Sequence, residues 1–130
     1  MDLQDTSGIT TFNITRVNDG IANTVIIDNA KGSMVNLGIA NSEQPTQIID
    51  FAYDDEELAG ASDVASLTLD NVDVAGLIID ERGTADQGFE TISIKTVDAA
   101  SEIALFTAED LVTLNISGDQ MALRQLLVVH

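Results

Sequence analysis

The stretch TISIKTVDAASEIALFTAEDLVTLNIS, residues 91–117, contains three short segments in which apolar and polar residues alternate. Their first apolar residues, Ile92, Ile103 and Leu114, follow one another at intervals of eleven positions, and the second apolar residues keep the same interval. Alternation with a period of two is typical of β-strands that bury one face. We therefore predict three strands of one length and one register, whose core residues are Ile92, Ile94, Ile103, Leu105, Leu114 and Ile116.

The same alternation recurs through the rest of the chain, for example at Phe12 and Ile14, and at Leu67 and Leu69. Clusters of Asn, Asp, Gly and Ser, such as Asn18-Asp19-Gly20, separate these segments and favour turns. The pattern predicts roughly nine or ten strands and little helix. Residues 54–62 fit a loop or a single helical turn, and residues 119–127 fit either period, so both assignments stay open.

Two all-β architectures accommodate short and evenly spaced strands. In a β-solenoid, which resembles a parallel β-helix, each coil stacks on the previous one and the inward residues form ladders. In an antiparallel β-sandwich, hairpins and Greek-key connections join strands at similar intervals. The regular spacing of the second half favours the solenoid, whereas the irregular gaps of the first half also suit a sandwich.

A longer repeat links the two halves of the chain. Residues 25–32 read VIIDNAKG and residues 77–83 read LIIDERG, so each has an apolar-Ile-Ile-Asp segment followed by a polar turn with one basic residue and a glycine. Such self-similarity is typical of repeat architectures. We predict that residues 1–130 form a single all-β domain or a segment of a longer repeat protein, with sub-repeats near 10–53 and 65–127.

The charge of the chain argues against two classes of partner. Twenty-two Asp and Glu stand against 5 Lys and Arg in 130 residues, which gives a formal net charge of −17 at pH 7. So few basic residues do not form the positive face that nucleic-acid phosphates require. Anionic lipid repels such a chain, and no apolar run approaches the roughly 18 residues that span a bilayer. We expect neither nucleic-acid binding nor membrane insertion.

Catalytic side chains are scarce. The chain has no cysteine, and its one histidine is the last residue, His130. Thiolate chemistry and histidine-based catalysis are therefore not expected. Paired carboxylates suit glycoside hydrolysis, but a sugar site is normally lined by aromatic rings, and this chain has one Tyr, four Phe and no Trp. We predict that the protein is not an enzyme.

Three segments of the second half carry a resemblance to a known family. They are QGFETISI at 87–94, IALFTA at 103–108 and LVTLNISGD at 111–119. The order of a glycine, an apolar residue, Glu-Thr and alternating apolar residues, followed by Leu-x-x-Leu-Asn-apolar-Ser-Gly, resembles bacterial surface-layer proteins of the calcium-dependent, type I-secreted repeat family. Residues 66–70 match loosely.

The resemblance implies an extracellular structural protein that tiles a cell surface, commonly held together by Ca²⁺, and usually much longer than this chain. It implies partners that are copies of the chain itself or neighbouring repeats of the same protein. The glycine-rich nonapeptide that binds Ca²⁺ in the secretion-linked part of such proteins is absent here. No calcium ligand of the family is therefore transferred to a residue of this sequence.

Acidic turns offer candidate Ca²⁺ ligands independently of the resemblance, because Ca²⁺ is bound by carboxylate, amide and carbonyl oxygens. If the strands that end at Leu69 and Ile79 are neighbours in register, Asp70 and Asp80 lie about 4.8 Å apart, and a bridging cation relieves their repulsion. The candidate ligands are Asp70, Asn71, Asp73, Asp80 and Glu81, with Asp54 and Asp55 as a second group. The alternative is that these carboxylates are solvated turn residues bonded to the local backbone.

Together, these patterns predict a structural segment of an extracellular surface layer that self-assembles with Ca²⁺ as the cement. Strand edges at the two ends of a solenoid are open, so adjacent copies or repeats would complete them. The alternative is a β-sandwich adhesion or carbohydrate-binding module of a surface or phage-fibre protein. A polysaccharide of the cell surface is a further expected partner.

Overall fold

Parallel β-strands form all the regular structure in the computed structural model, which describes residues 1–17, 24–83, 87–118 and 121–129. No helix occurs in these ranges. The strands are β1 Thr11–Ile14, β2 Thr24–Ala30, β3 Asn36–Tyr53, β4 Val64–Glu81, β5 Thr91–Thr96, β6 Ser101–Glu109, β7 Thr113–Ser117 and β8 Met121–Val129. The prediction of an all-β chain is confirmed.

The strands are stacked coils of a β-solenoid. The first half of β3 pairs with β1 and its second half with β2, while β3 and β4 pair along both halves. The two halves of β4 then pair with β5 and β6, which pair in turn with β7 and β8. Every pairing between named strands is parallel, so the solenoid prediction is confirmed and the antiparallel sandwich is wrong.

Each coil therefore contributes one strand segment to each of two faces, and in-register stacking places its inward residues in columns. The column of the first face is Phe12, Leu37, Leu67, Ile94 and Ile116. The column of the second face is Val25, Ile49, Leu77, Phe106 and Leu126. The inner members are buried almost completely and form one continuous hydrophobic core. Burial of these side chains is the main source of stability.

The eleven-residue spacing is real, but it separates the two faces of a coil and not neighbouring strands. Ile92 lies beside Leu114, which is 22 positions further along the chain, whereas Ile103 lies beside Val74 and Leu123. The chain passes through β6 on the other face before it returns to the column of Ile92. The predicted single register of three successive strands is therefore wrong, and eleven residues correspond to half a coil.

The predicted core is correct in part. Ile92, Ile94 and Ile103 are buried, whereas Leu105 is half-buried beside Gly76, and its neighbour Phe106 points inward instead. The alternation of burial along β4 shifts between Val74 and Leu77, which lie beside Ile103 and Phe106, and this shift explains the change. The last two predicted core residues belong to the final coil, where Leu114 is half-buried and Ile116 is exposed.

The repeat shared by residues 25–32 and 77–83 has a structural counterpart. Val25 pairs with Ile49, and Ile49 pairs with Leu77, so the two copies occupy the same column two coils apart. Similar residues at equivalent places in a stack meet similar neighbours, and this explains the recurrence.

Residues with positive φ turn the chain at one corner of successive coils. They are Asn41 (φ 51°), Asn71 (φ 57°) and Asp98 (φ 56°). Asn and Asp tolerate the left-handed region better than other residues with a side chain, because their short polar groups bond to the local backbone. Buried serines complete the corner: Val17 N–H donates to Ser42 Oγ at 3.0 Å, and Val72 N–H donates to Ser101 Oγ at 3.1 Å.

The structure settles the two segments that the sequence left open. Residues 54–62 form turns and bends, and Leu58 in this segment is buried. Residues 121–129 form β8. Eight strands occur in the described residues, fewer than predicted, because β3 and β4 each pass through both faces without interruption. Asn18-Asp19-Gly20 and His130 lie outside the described residues.

Gly88 tests how closely the coils approach each other. A Cβ atom at this position would lie 2.1 Å from the backbone oxygen of Glu109, which is far inside contact distance. We expect Gly88→Ala to lower the free energy of unfolding by about 3 kcal/mol, because two backbone segments must separate. Gly8→Ala is the control, since a Cβ there meets no atom within 4 Å and only the positive φ of 73° is unfavourable. Chemical denaturation measures the free energy of unfolding of both variants. An equal loss of stability in the two would contradict the close packing at Gly88.

Candidate functional site

The structure does not bring Asp70 and Asp80 together. Both belong to β4, where Asp70 lies beside Ala40 on one half of the strand and Asp80 lies beside Ala52 on the other half. The strands that end at Leu69 and Ile79 are two parts of one continuous strand and cannot be neighbours. The predicted bridge between Asp70 and Asp80 is therefore wrong.

Asp70 and Asn71 take part in the corner of the coil. Asp70 Oδ1 accepts a hydrogen bond from Ala99 N–H at 3.3 Å, and Asn71 adopts the left-handed conformation described above. The Asp70 contact therefore joins two adjacent coils, and Asn71 turns the chain between the two faces.

Asp73 belongs to a row of stacked carboxylates, which we name the acidic row: Glu43, Asp73 and Glu102. Its members occupy the same place in adjacent strands, so their Cα atoms are spaced by about 4.8 Å. The acidic row lines an open groove of about 530 Å³, together with Asn71 and Ser101. Arg124 forms an ion pair with Glu102 at one end of the row. The stacked carboxylates that the sequence placed at Asp70 and Asp80 occur here instead.

Glu81 is buried and holds the acidic loop that follows β3. Its two carboxylate oxygens accept hydrogen bonds from Glu56 N–H at 3.0 Å and Leu58 N–H at 2.7 Å. With its amide nitrogen turned toward Glu81, Gln87 donates to both oxygens at 3.1 and 2.6 Å. A buried carboxylate is tolerated when it is fully hydrogen-bonded. Glu81 therefore fixes this loop against β4 through hydrogen bonds within one molecule.

Asp54 and Asp55 do not converge on a common point. Asp54 forms an ion pair with Lys31 at 3.1 Å, and its other carboxylate oxygen accepts a hydrogen bond from the Asp55 backbone N–H. The hydrogen bond from Lys31 is the main cause that lowers the Asp54 pKa from 3.8. The Asp55 side chain lies beside Gly83, on the other side of the loop.

A cluster around Arg82 is the strongest concentration of charge that the described residues show, and we name it the Arg82 cluster. Arg82 contacts Asp50 at 3.1 Å, Asp28 at 3.6 Å and Asp80 at 3.7 Å. The three carboxylates come from β2, β3 and β4, so one guanidinium joins three coils. The planar guanidinium presents several donors at fixed angles and suits this role better than a lysine.

The Arg82 cluster can hold one proton between Asp50 and Asp80. Asp50 is 6% exposed, and the Oδ1 atoms of Asp50 and Asp80 are buried and receive no hydrogen bond while both groups are ionised. A proton on Asp80 allows its carboxyl group to hydrogen-bond to Asp50. Burial, followed by the charge of Asp50, raises the Asp80 pKa from 3.8 to about 7, although Arg82 works in the opposite direction. At neutral pH the pH is therefore close to the pKa of Asp80.

Sequence reasoning identified Asp80 but missed its partners. The signal was present in the repeat, because Asp28 of VIIDNAKG and Asp80 of LIIDERG occupy corresponding places. Asp50 ends a third Ile-Ile-Asp segment, Ile48-Ile49-Asp50, but it pairs with Ile78 and not with Asp80, so its place in the cluster follows only from the register of β3 with β4. Glu43 and Glu102 carried no local sequence signal, because their alignment with Asp73 depends on coils of unequal length.

The pH dependence of stability tests the Arg82 cluster. The folded chain holds the Asp80 proton more tightly than the unfolded chain, so protonated Asp80 stabilises the fold. This contribution to the free energy of unfolding is complete below pH 3.8 and is lost as pH rises toward 7. Asn mimics the protonated group. We expect Asp80→Asn to raise the free energy of unfolding by about 2 kcal/mol at pH 8 and to leave it nearly unchanged at pH 4.

Chemical denaturation at both pH values measures this effect. Asp5→Asn, at an exposed acidic residue, is the control for the removal of one charge, and we expect it to change stability little at either pH. A lower stability of Asp80→Asn at pH 8 would show that Arg82 requires the ionised carboxylate and would contradict the shared proton.

No three Asp, Glu or His side chains of the described ranges are arranged to hold a metal ion. Most of the predicted ligands instead make bonds within the chain, to backbone groups, to Lys31 or to Arg82. These residues are Asp70, Asn71, Asp80, Glu81 and Asp54. The acidic row can attract cations, but a Ca²⁺ ion bound there would need further oxygen ligands from water or from a second molecule.

Comparisons of the chain with known protein families, with curated proteins and with solved structures find no match in any of the three. Over the described residues, no helix has the length and apolar character that crossing a bilayer requires.

Proposed function

We propose that the chain is a structural segment of an extracellular surface layer, in which copies of the chain or neighbouring repeats associate and Ca²⁺ strengthens the contacts between them. The observation that carries this proposal is the open end of the solenoid. β7 pairs only with β5 and β8 only with β6 among the described strands, so one edge of each is left without a partner. Open parallel edges are sites where another strand adds.

The shape of the fold also supports a structural role. In a solenoid each coil contacts only its neighbours, so a stack extends by adding units without rearranging those already present. The described surface has an acidic row and a charged cluster, and the open groove has no aromatic lining residue. These features suit a building element better than a pocket for a small molecule.

The proposed role of Ca²⁺ rests on charge. A net charge of −17 on 130 residues makes copies of the chain repel each other. Carboxylates of the acidic row lie on the outer surface, where a second molecule can supply the missing oxygen ligands. A divalent cation at such a contact removes repulsion and adds bonds at the same time.

A sandwich is no longer part of the adhesion alternative, since every pairing between the described strands is parallel. A surface polysaccharide remains a proposed partner, and the groove along the acidic row offers carboxylate and amide groups that hydrogen-bond to hydroxyls.

Size-exclusion chromatography with light scattering, after treatment with EGTA and after addition of millimolar Ca²⁺, tests the proposal. We expect Ca²⁺ to shift the chain to larger assemblies and to raise its melting temperature, because it binds only the associated folded state. Mg²⁺ at the same concentration should act more weakly, since it gives up its water less readily. A chain with unchanged size and stability in Ca²⁺ would contradict the role of calcium.

A pair of matched variants locates the contact. Glu43→Gln/Asp73→Asn/Glu102→Gln removes the acidic row, and Asp5→Asn/Glu56→Gln/Asp98→Asn removes the same number of charges elsewhere. We expect only the first variant to lose at least tenfold in sensitivity to Ca²⁺. Equal losses of Ca²⁺ sensitivity in the two variants would show that Ca²⁺ screens the overall charge and does not bind at the acidic row.

A further inference from the structure

Strand β2 is irregular at Asp28 and Asn29, and we name these two residues the β2 bulge. The register of β2 on β3 shifts between Ile27 and Ala30, so within the described residues it assigns the bulge no partner on β3. Asn29 also has a positive φ of 56°. A bulge leaves residues unpaired and interrupts the ladder locally. Backbone pairing with β3 therefore holds the β2 bulge less firmly than the rest of β2.

The side chain of Arg82 links the β2 bulge to the next two coils. Its Nε atom lies 3.6 Å from Asp28 Oδ1 of the bulge. Its two other nitrogens contact Asp50 of β3 at 3.1 Å and Asp80 of β4 at 3.7 Å. One guanidinium therefore ties the irregular part of β2 to two strands that pair regularly with each other.

An N-terminal segment bonds to the same bulge. Leu3 N–H donates to Asp28 O at 2.9 Å, and Asp28 N–H donates to Met1 O at 2.7 Å. The side-chain amide of Asn29 donates to Asp2 Oδ1 at 2.8 Å. A displacement of the β2 bulge would therefore be passed on to residues 1–3.

The three carboxylates around Arg82 differ in how much they depend on it. The Asp50 side chain is 9% exposed and the Asp80 side chain is 20% exposed, whereas that of Asp28 is 45% exposed. Water solvates an exposed carboxylate, but a buried carboxylate relies on its partners in the protein. Competition for the single guanidinium therefore favours Asp50 and Asp80 over Asp28.

The proton on Asp80 decides how strong this competition is. Protonated Asp80 is neutral and hydrogen-bonds to Asp50, so the charge of Arg82 is divided between Asp50 and Asp28. Ionised Asp80 and Asp50 instead repel each other, and the charge of Glu109 on β6 adds to the repulsion. Arg82 is then drawn toward the two buried carboxylates and away from Asp28.

We propose that Arg82 is a pH-operated clamp, which ties the β2 bulge to β3 and β4 while Asp80 is protonated and releases it when Asp80 ionises. The inference goes beyond the proposed function, because it concerns one molecule and needs neither Ca²⁺ nor a second copy. Burial raises the pKa of Asp80 to about 7, so the clamp operates near neutral pH. Release loosens the bulge and residues 1–3 and leaves the columns of β3 and β4 in place.

Hydrogen exchange measured by mass spectrometry in EGTA, at about pH 5.5 and about pH 8.5, tests the clamp. Protection factors correct for the pH dependence of intrinsic exchange. The peptide that covers β2 reports the clamp, and the peptide that covers β5 reports any loss of overall stability. We expect the protection of β2 to fall at least about threefold more than that of β5 at the higher pH, as suits a half-exposed ion pair.

Matched variants assign the effect to the Arg82 cluster. Asp80→Asn keeps this position neutral at both pH values, so it should abolish the additional loss in β2. Asp28→Asn removes the clamped carboxylate and should lower the protection of β2 at about pH 5.5 to nearly its value at about pH 8.5. Asp5→Asn, at an exposed residue, removes one charge elsewhere and should behave like the natural chain. Circular dichroism shows that each variant is folded.

Three results would overturn the clamp. One is a protection of β2 that changes with pH no more than that of β5. Another is additional loosening of β2 that persists in Asp80→Asn, which would assign the effect to a different titrating group. The third is an Asp28→Asn variant whose β2 stays fully protected at about pH 5.5. A chain that loosens as expected but does not assemble with Ca²⁺ would contradict the proposed function and leave the clamp intact.

Discussion

In-register stacking of parallel coils is the constraint on which the rest of this structure depends. Because a residue lies directly beside its counterparts in the coils on either side, each inward position must be apolar in every coil, or it interrupts a column. Gly118 shows how tight the stack is: a Cβ there would lie 2.2 Å from Thr96 Oγ1 of the neighbouring coil. The core is thus built from columns that run through the whole molecule.

The same stacking concentrates charge on the outside. A carboxylate at one position in several coils meets like charges at the spacing of adjacent strands, as in the acidic row. The structure shows two ways in which carboxylates are accommodated within the chain. In the Arg82 cluster one guanidinium contacts three carboxylates, and burial raises the pKa of Asp80 to about 7. Glu81 instead accepts hydrogen bonds from backbone N–H groups. The proposed Ca²⁺ contacts would be a third way, available only when molecules associate.

The sequence predicted the class of fold because the relevant signals are local. Alternation marked β5, β6 and β7, whereas the corners at Asn71 and Asp98 were found only in the structure. Register could not be predicted, since it depends on coil lengths that vary: Asn36 pairs with Ser66, 30 positions later, and Ser93 pairs with Asn115, 22 positions later. Without register, Asp70 and Asp80 were placed side by side, and Asp50, Arg82 and Glu43 were missed as partners.

Disulfide formation between introduced cysteines tests this register most directly, because the chain has none of its own. Ser66 lies beside Ser93, and Ser93 lies beside Asn115. The account predicts that Ser66→Cys/Ser93→Cys closes an intramolecular disulfide on mild oxidation of the folded protein, since adjacent parallel strands are about 4.8 Å apart. Ser66→Cys/Asn115→Cys, which spans two coils, should stay reduced. Closure of the second pair, or of neither, would contradict the stacked solenoid and everything inferred from it.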